Sequence, residues 1–221
     1  ARIIRRASVH AVLGFTCCVT AFPFLWMAVS SLKTKEEVLD TASFLPSVPQ
    51  FGNYRSILAD SPIPGYLANS FFVSLAAAAI QLVCCALFTY AVTFMKIRGR
   101  DMLFRLVLFT YMVPTAVTYI PCYIILSRMG LLDSYQGLIL SNGVSVFGIF
   151  LLHQAFEAVP KETMEAARMD GAGHLSILTR IIVPMTRPSF MTFILLSFIN
   201  TYNSYMWPSL ITDSPNLSLI S

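Results

Sequence analysis

Five stretches of this chain, 9–29, 67–95, 106–127, 136–156 and 188–212, are long enough to cross a bilayer as helices and contain no Lys, Arg, Asp or Glu. A hydrocarbon core about 30 Å thick needs about 20 apolar residues of helix. One charge at the centre of such a helix costs about 2.5–3.5 kcal/mol on insertion, so charge-free windows repeated along one chain point to lipid as the solvent. Charged residues make up 12% of the 221, where a soluble domain carries about a quarter. The expected fold class is all-α: a polytopic transmembrane helical bundle forming one domain over 1–221.

The connections set the orientation. Arg2, Arg5 and Arg6 precede the first window, which is too long for a secretory signal and reads as a span. Eleven Lys and Arg fall in the N-terminal segment and in the connections around 96–105 and 157–187, against four (Lys33, Lys35, Arg55, Arg128) on the other side. Basic loops stay inside, which places the N-terminus and 157–187 in the cytoplasm, on the inner face of the membrane. The 30–66 connection, with Pro46, Pro49, Pro62 and Pro64, is then external and is expected to be extended or turn-like. Five spans leave a polar C-terminus outside, and the chain begins at Ala1. It is expected to be a piece of a longer protein that has a further C-terminal span.

Several chemistries find no residues. Cys17, Cys18, Cys84, Cys85 and Cys122 all sit in apolar runs without the C-x-x-C spacing of a zinc or redox site. They read as small packing residues. His10, His153 and His174 are scattered. No Gly-rich phosphate loop occurs, and the net charge of +4 is too dispersed for a nucleic-acid groove. The chain is expected to bind no cofactor and no metal, and not to be an enzyme.

The 157–187 connection carries the most information. Pro160 suits a first helical position, and Glu162 suits the positive end of the helix dipole. Lys161–Glu165 and Glu165–Arg168 have ion-pair spacing. Gly171 and Gly173 permit a sharp turn. A second helix over 175–183, with Leu175, Leu178, Ile181 and Ile182 as its apolar face, is expected to run to Pro184. By physics alone this helix–turn–helix is a solvated loop, an interfacial helix on lipid, or a docking element for a soluble partner.

Glu165-Ala166-Ala167, then Gly171 after three residues, then Ile181 and Val183-Pro184, resembles the EAA loop of ABC importer permeases. Val183 stands where that family commonly has Leu. Asp170-Gly171-Ala172 is similar to the carbohydrate-uptake, maltose-transporter branch, and Asn69-Ser70, Pro114, Pro121, Gly130-Leu131-Leu132 and Trp207-Pro208 agree along the chain. The resemblance implies a type I importer permease whose cytoplasmic coupling helix docks on a partner ATPase. Glu165 would be the charged anchor and Ala166 and Ala167 would permit close packing. Gly171 would set the turn, with Met164, Arg168 and Asp170 beside them. It implies as partners a second permease, two cytoplasmic ATPase subunits holding ATP and Mg, and an external solute-binding protein, with lipid around them and no nucleic acid.

Polar groups inside spans usually face a bundle interior or water. Asn200, Tyr202 and Asn203 in the fifth window, Tyr119 in the third and Asn142 in the fourth could line a sugar's route, or act as interhelical glue or an interfacial aromatic belt. An ion-coupled secondary carrier, the alternative, would want intramembrane carboxylates or Arg, and the windows contain none.

Overall fold

A 29-residue helix, α1 (Arg2–Ser30), opens the chain and carries Pro23 inside it. The computed structural model describes residues 2–40 and 43–220, which form helices and turns with no strand among them. The chain divides into two units, Ala1–Pro64 and Gly65–Ser221.

In the first unit, α1 is followed by α2 (Lys35–Leu39) and α3 (Gly52–Asp60), so the proline-bearing connection is partly helical rather than wholly extended. The reason is local. Thr34 Oγ1 accepts from the Glu37 amide (3.2 Å) and Glu37 Oε2 accepts from the Thr34 amide (3.1 Å), a complete capping box. The prolines fall between the two helices and after them. The Thr34 amide, followed by Ser47, holds the Glu37 carboxyl below the usual carboxylate range. Lys33 is only 3% exposed; its Nζ donates to Ser43 O (2.6 Å) and lies 4.9 Å from the centre of the Trp26 ring.

The second unit is built around α4 (Ile63–Phe94), 32 residues long. Its buried positions include Ser70, Val73, Ser74, Ala77, Ala78, Cys85 and Ala86, a mostly small-residue stripe at helical spacing that lets other backbones approach closely. Gln81, Cys85 and Thr89, one turn apart, donate to the carbonyls of Asn142 (2.6 Å), Ser145 (3.4 Å) and Ile149 (3.5 Å). Asn142 O lies in a helix break and takes no backbone amide from its own segment, whereas Ser145 O also accepts from the Ile149 amide (3.0 Å). Irregular backbone at membrane depth needs such partners.

Three of the five apolar windows are not single helices. The third divides into α5 (Arg100–Thr110) and α6 (Thr115–Arg128), bent by 101° at Pro114. The fourth divides into α7 (Tyr135–Leu140) and α8 (Val146–Glu157), whose first turns are capped by Ser134 and Ser145. The fifth divides into α12 (Arg187–Tyr202) and α13 (Met206–Ile211). Between them lie α9 (Lys161–Met169), then α10 (His174–Ile177), a π-helical turn (Leu178–Ile182) and α11 (Val183–Met185). Only Ser8–Ser30 and Ile63–Phe94 are long and apolar enough to cross a bilayer alone among the described residues. The pair α5–α6, and the pair formed by His174–Met185 and α12 with a bend of 87°, reach that length together.

One core joins α4, α8, α9, α10 and α12 through Tyr90, Leu152, Phe156, Met164, Ile177, Ile182 and Phe193. A smaller one gathers Val73, Leu126, Leu138, Trp207 and Ile211. Beside it the C-terminal segment is clamped by polar bonds. Asn69 Nδ2 donates to Asn216 O (2.8 Å), Ser70 Oγ accepts from the Ile220 amide (2.8 Å), and Tyr135 Oη donates to Asn69 Oδ1 (2.8 Å).

Asp133, in the loop between α6 and α7, accepts from the Ser214 hydroxyl and from the amides of Ser214 (3.0 Å) and Asp213 (3.1 Å). These bonds, the Ser214 hydroxyl first, lower its pKa. A lowered folded-state pKa contributes stability that is present above the unfolded value and lost as pH falls through the folded one. The clamp is therefore expected to hold at neutral pH and release in acid, below the normal carboxylate range. Amide exchange at Asp213 and Ser214, corrected for its intrinsic pH dependence, should speed up in acid. Asp133→Asn should show fast exchange at pH 7; protection unchanged in both cases would refute the role.

Candidate functional site

Helix α9 stands on two buried residues, Met164 (3% exposed) and Ala167 (8%), one turn apart and packed into the larger core. Glu165, Ala166, Met169 and Asp170 point away from it, with Met169 88% exposed. The loop motif is thus split by helical phase. Ala167 is small because it meets its own chain, whereas Ala166 is small on a free surface.

Pro160 proves to be the N-cap of α9 rather than its first residue, and the helix starts at Lys161. Its end is a Schellman motif: the Ala172 amide donates to Ala167 O (2.9 Å) and the Gly171 amide to Arg168 O (3.0 Å). Gly171 has φ +80°, the left-handed conformation this motif requires, which accounts for glycine there. Neither expected ion pair, Lys161–Glu165 or Glu165–Arg168, forms. Among the described residues the pairs within 4 Å are Arg100–Asp101 and His153–Glu157. Arg168 instead donates from Nη2 to Phe94 O (2.9 Å), at the end of α4. This bond caps a helix-terminal carbonyl.

The second loop helix also departs from its expected register. Leu175 is 67% exposed, and the buried face is Ile177, Leu178 and Ile182. A proline ring clashes with the carbonyl four residues back. The π turn over 178–182, closed by the Val183 amide on Leu178 O, widens the helix just before Pro184 and lets it continue to Met185. Between α4 and α9 lies a cleft of about 590 Å³, with Lys96, Arg100, Lys161, Glu165 and Arg168 on its walls.

The helix breaks meet around a second, uncharged region. A cleft of about 950 Å³ is lined by Thr110–Thr115, Thr118, Ser145–Phe147, Leu196 and Asn200. A smaller one shares Asn200 and Ser145 and adds Gln81, Asn142 and Ser197. A third has Tyr119, Ser141, Asn142 and Trp207. None of the residues lining these three clefts is charged. Asn200, Asn142 and Tyr119 are thereby brought together. Tyr119 stacks on Trp207 (5.3 Å), whose Nε1 donates to Ser141 Oγ (2.8 Å). Asn142 turns its own Nδ2 to Leu138 O (2.9 Å).

Tyr202 and Asn203 lie outside these clefts. Tyr202 stacks on Phe198 (5.7 Å), and Asn203 is exposed at the end of α12. The α12 face toward the clefts runs through Phe193, Ser197, Asn200 and Thr201, which leaves 202 and 203 off it. Gln81, which the sequence reading passed over, links the region: Ser197 Oγ donates to Gln81 Oε1 (2.5 Å), and Gln81 Nε2 donates to Asn142 O (2.6 Å). It was visible as a lone long amide in an uncharged span, where polar side chains are costly unless satisfied.

Residues 83–220 match the model of the family described as "Binding-protein-dependent transport system inner membrane component". The chain is 30% identical to the sn-glycerol-3-phosphate transport system permease protein of Agrobacterium fabrum, over 99% of this chain and 80% of that protein. It is 27% identical to the lactose transport system permease protein of Rhizobium radiobacter, over 96% and 77%. It is 30% identical to the arabinooligosaccharides transport system permease protein of Bacillus subtilis, over 89% and 71%. The fold is similar, with a TM-score of 0.88 and 27% identity, to a bacterial ABC transporter involved in the import of the acidic polysaccharide alginate. That likeness covers 98% of this chain and 76% of the other.

Proposed function

As the chain belongs to the family of inner-membrane components of binding-protein-dependent transport systems, we propose that it is a permease subunit of an ATP-driven importer for a neutral sugar. The observation that carries the choice of solute is the uncharged region at the helix breaks. Hydroxyls, amides and two stacked aromatic rings line it, with no cation to hold a phosphate or uronate. Such a surface suits the hydroxyls and flat faces of a sugar, and a cleft of about 950 Å³ lies in the size range of small-molecule sites. Asn200, Asn142 and Tyr119 contact the solute in this reading, and Gln81 and Trp207 hold their surroundings in place.

The chain crosses the membrane several times with its N-terminus and the 157–187 loop in the cytoplasm. It pairs with a second permease and two ATPase subunits, which hold ATP and Mg, and receives solute from an external binding protein. Its outward α9 face, Glu165, Ala166, Met169 and Asp170, docks on an ATPase, while Met164, Ala167 and Arg168 fasten α9 to its own chain. Gly171 turns the backbone between them. A stiff loop of this kind suits rigid-body rocking about a central site.

The test is ATP hydrolysis by the purified complex in lipid nanodiscs with its binding protein. The panel is lactose, an arabinose trisaccharide, sn-glycerol-3-phosphate and an alginate trisaccharide. Stimulation by a neutral sugar at least tenfold above either anionic compound is expected. Preference for an anionic one would overturn the neutral-sugar reading. Absence of a copurifying ATPase would overturn the importer reading.

A further inference from the structure

Helix α4 touches both ends of the proposed machine. Near its middle Gln81 holds the uncharged region together through Asn142 and Ser197. Nine residues on, about 14 Å along a rigid helix, the Tyr90 hydroxyl and His174 Nδ1 share a hydrogen bond of 3.0 Å, with their rings edge to face. At the last residue of α4, Phe94 O accepts from Arg168. Arg168 lies in the last turn of α9 and His174 in the first turn of α10, so the two contacts bracket the Gly171 turn. The Arg168 guanidinium also lies beside the Tyr90 hydroxyl.

We infer that Tyr90, His174 and Arg168 are positioning residues that latch the docking loop to α4, and that α4 carries the loop's displacement to the uncharged region. The inference rests on the reading of α9 as the ATPase-docking helix. Apolar contacts such as those of Met164 and Ala167 in the larger core hold a helix close but tolerate sliding. A hydrogen bond to a ring nitrogen and another to a helix-end carbonyl do not, because they weaken steeply with angle. The Arg168 bond caps the carbonyl of Phe94 from another helix. Arg100 Nη1 already donates to Thr93 O (3.2 Å) and Met95 O (3.5 Å) on either side of Phe94. What Arg168 adds is a link to α9.

The test uses the complete importer in nanodiscs with its binding protein and, radiolabelled, the panel solute that stimulates hydrolysis most. Solute moved per ATP hydrolysed is measured. Tyr90→Phe keeps the ring against Phe94 (5.4 Å) and removes only the hydroxyl. His174→Ala removes the ring nitrogen, and His174→Asn keeps a polar atom near its place. Tyr90→Phe and His174→Ala should each lower the ratio about fivefold, the usual worth of one hydrogen bond, with ATPase assembly unchanged. The double variant should be no worse than either single, and His174→Asn should stay near wild type. A purely packing role would not produce that rescue.

Unchanged ratios, losses that multiply in the double variant, or a His174→Asn as poor as His174→Ala would overturn the latch. Glu165→Lys in the same assay separates the two levels. If it uncouples while the latch variants behave as wild type, the latch alone falls. If it has no effect, the docking reading falls and takes the latch with it.

Discussion

Glu165→Lys is expected to abolish solute uptake, by at least a hundredfold, while the chain still inserts and folds. Glu165 sits on the outward face of α9 and its side chain has no hydrogen bond or ion pair among the described residues, so its replacement leaves Met164, Ala167 and the Schellman turn untouched. Burying a reversed charge against a partner that offers a cation costs several kcal/mol, and each 1.4 kcal/mol is about a factor of ten in affinity. Uptake in cells and ATPase retention on purification are the measurements, with membrane insertion followed by protease protection. Wild-type uptake in this variant would remove α9 as the docking helix.

Gly148→Val should cause the largest loss of folded protein. Gly148 is in the first turn of α8, and a Cβ built there falls among the ring atoms of Phe193 on α12. Phe193 is 1% exposed and closed in by the core, so its ring has nowhere to swing. Overpacking a filled core costs about 1–3 kcal/mol even when neighbours can shift, and here the whole α8–α12 contact would have to open. Such close helix approaches depend on glycine or other small residues. Thermal unfolding in detergent should show a drop of several degrees and little assembled complex. Gly148→Val combined with Phe193→Ala should recover part of the loss. A fully stable single variant would show that α8 and α12 do not pack this closely at Gly148.

The helix–turn–helix form of the 157–187 loop was legible because its determinants are local. Proline before a helix, a glycine where the backbone must turn left-handed, and a small-residue pair at fixed spacing are all within a few residues of the structure they produce. The all-helical class was legible for a similar reason, since long uncharged windows leave no other way to satisfy backbone groups in lipid. Less local features were misread. Helical phase sends Ala166 and Ala167 in opposite directions, yet as a bare motif they look equivalent. Arg168 has a carboxylate, Glu165, at helical spacing in sequence but bonds a carbonyl 74 positions away. The capping box that starts α2 was present as Thr34 and Glu37, but the surrounding prolines outweighed it.

The uncharged region shows the division most clearly. Hydropathy alone determined that residues 106–127, 136–156 and 188–212 belong in an apolar surrounding. It could not determine that each window would break, because a break is stable only when another element satisfies the freed carbonyls. At the break in the fourth window that element is α4, with Gln81 donating to the carbonyl of Asn142, 61 positions away. Such long-range bonds decide which polar residues meet. Asn200, Asn142 and Tyr119 converge on the clefts, whereas Tyr202 and Asn203, equally polar in sequence, fall off the α12 face that lines them. Solvent preference is a property of each segment and can be read from it. The pairing of backbone groups across segments is a property of the assembled helices, and only their packing decided it.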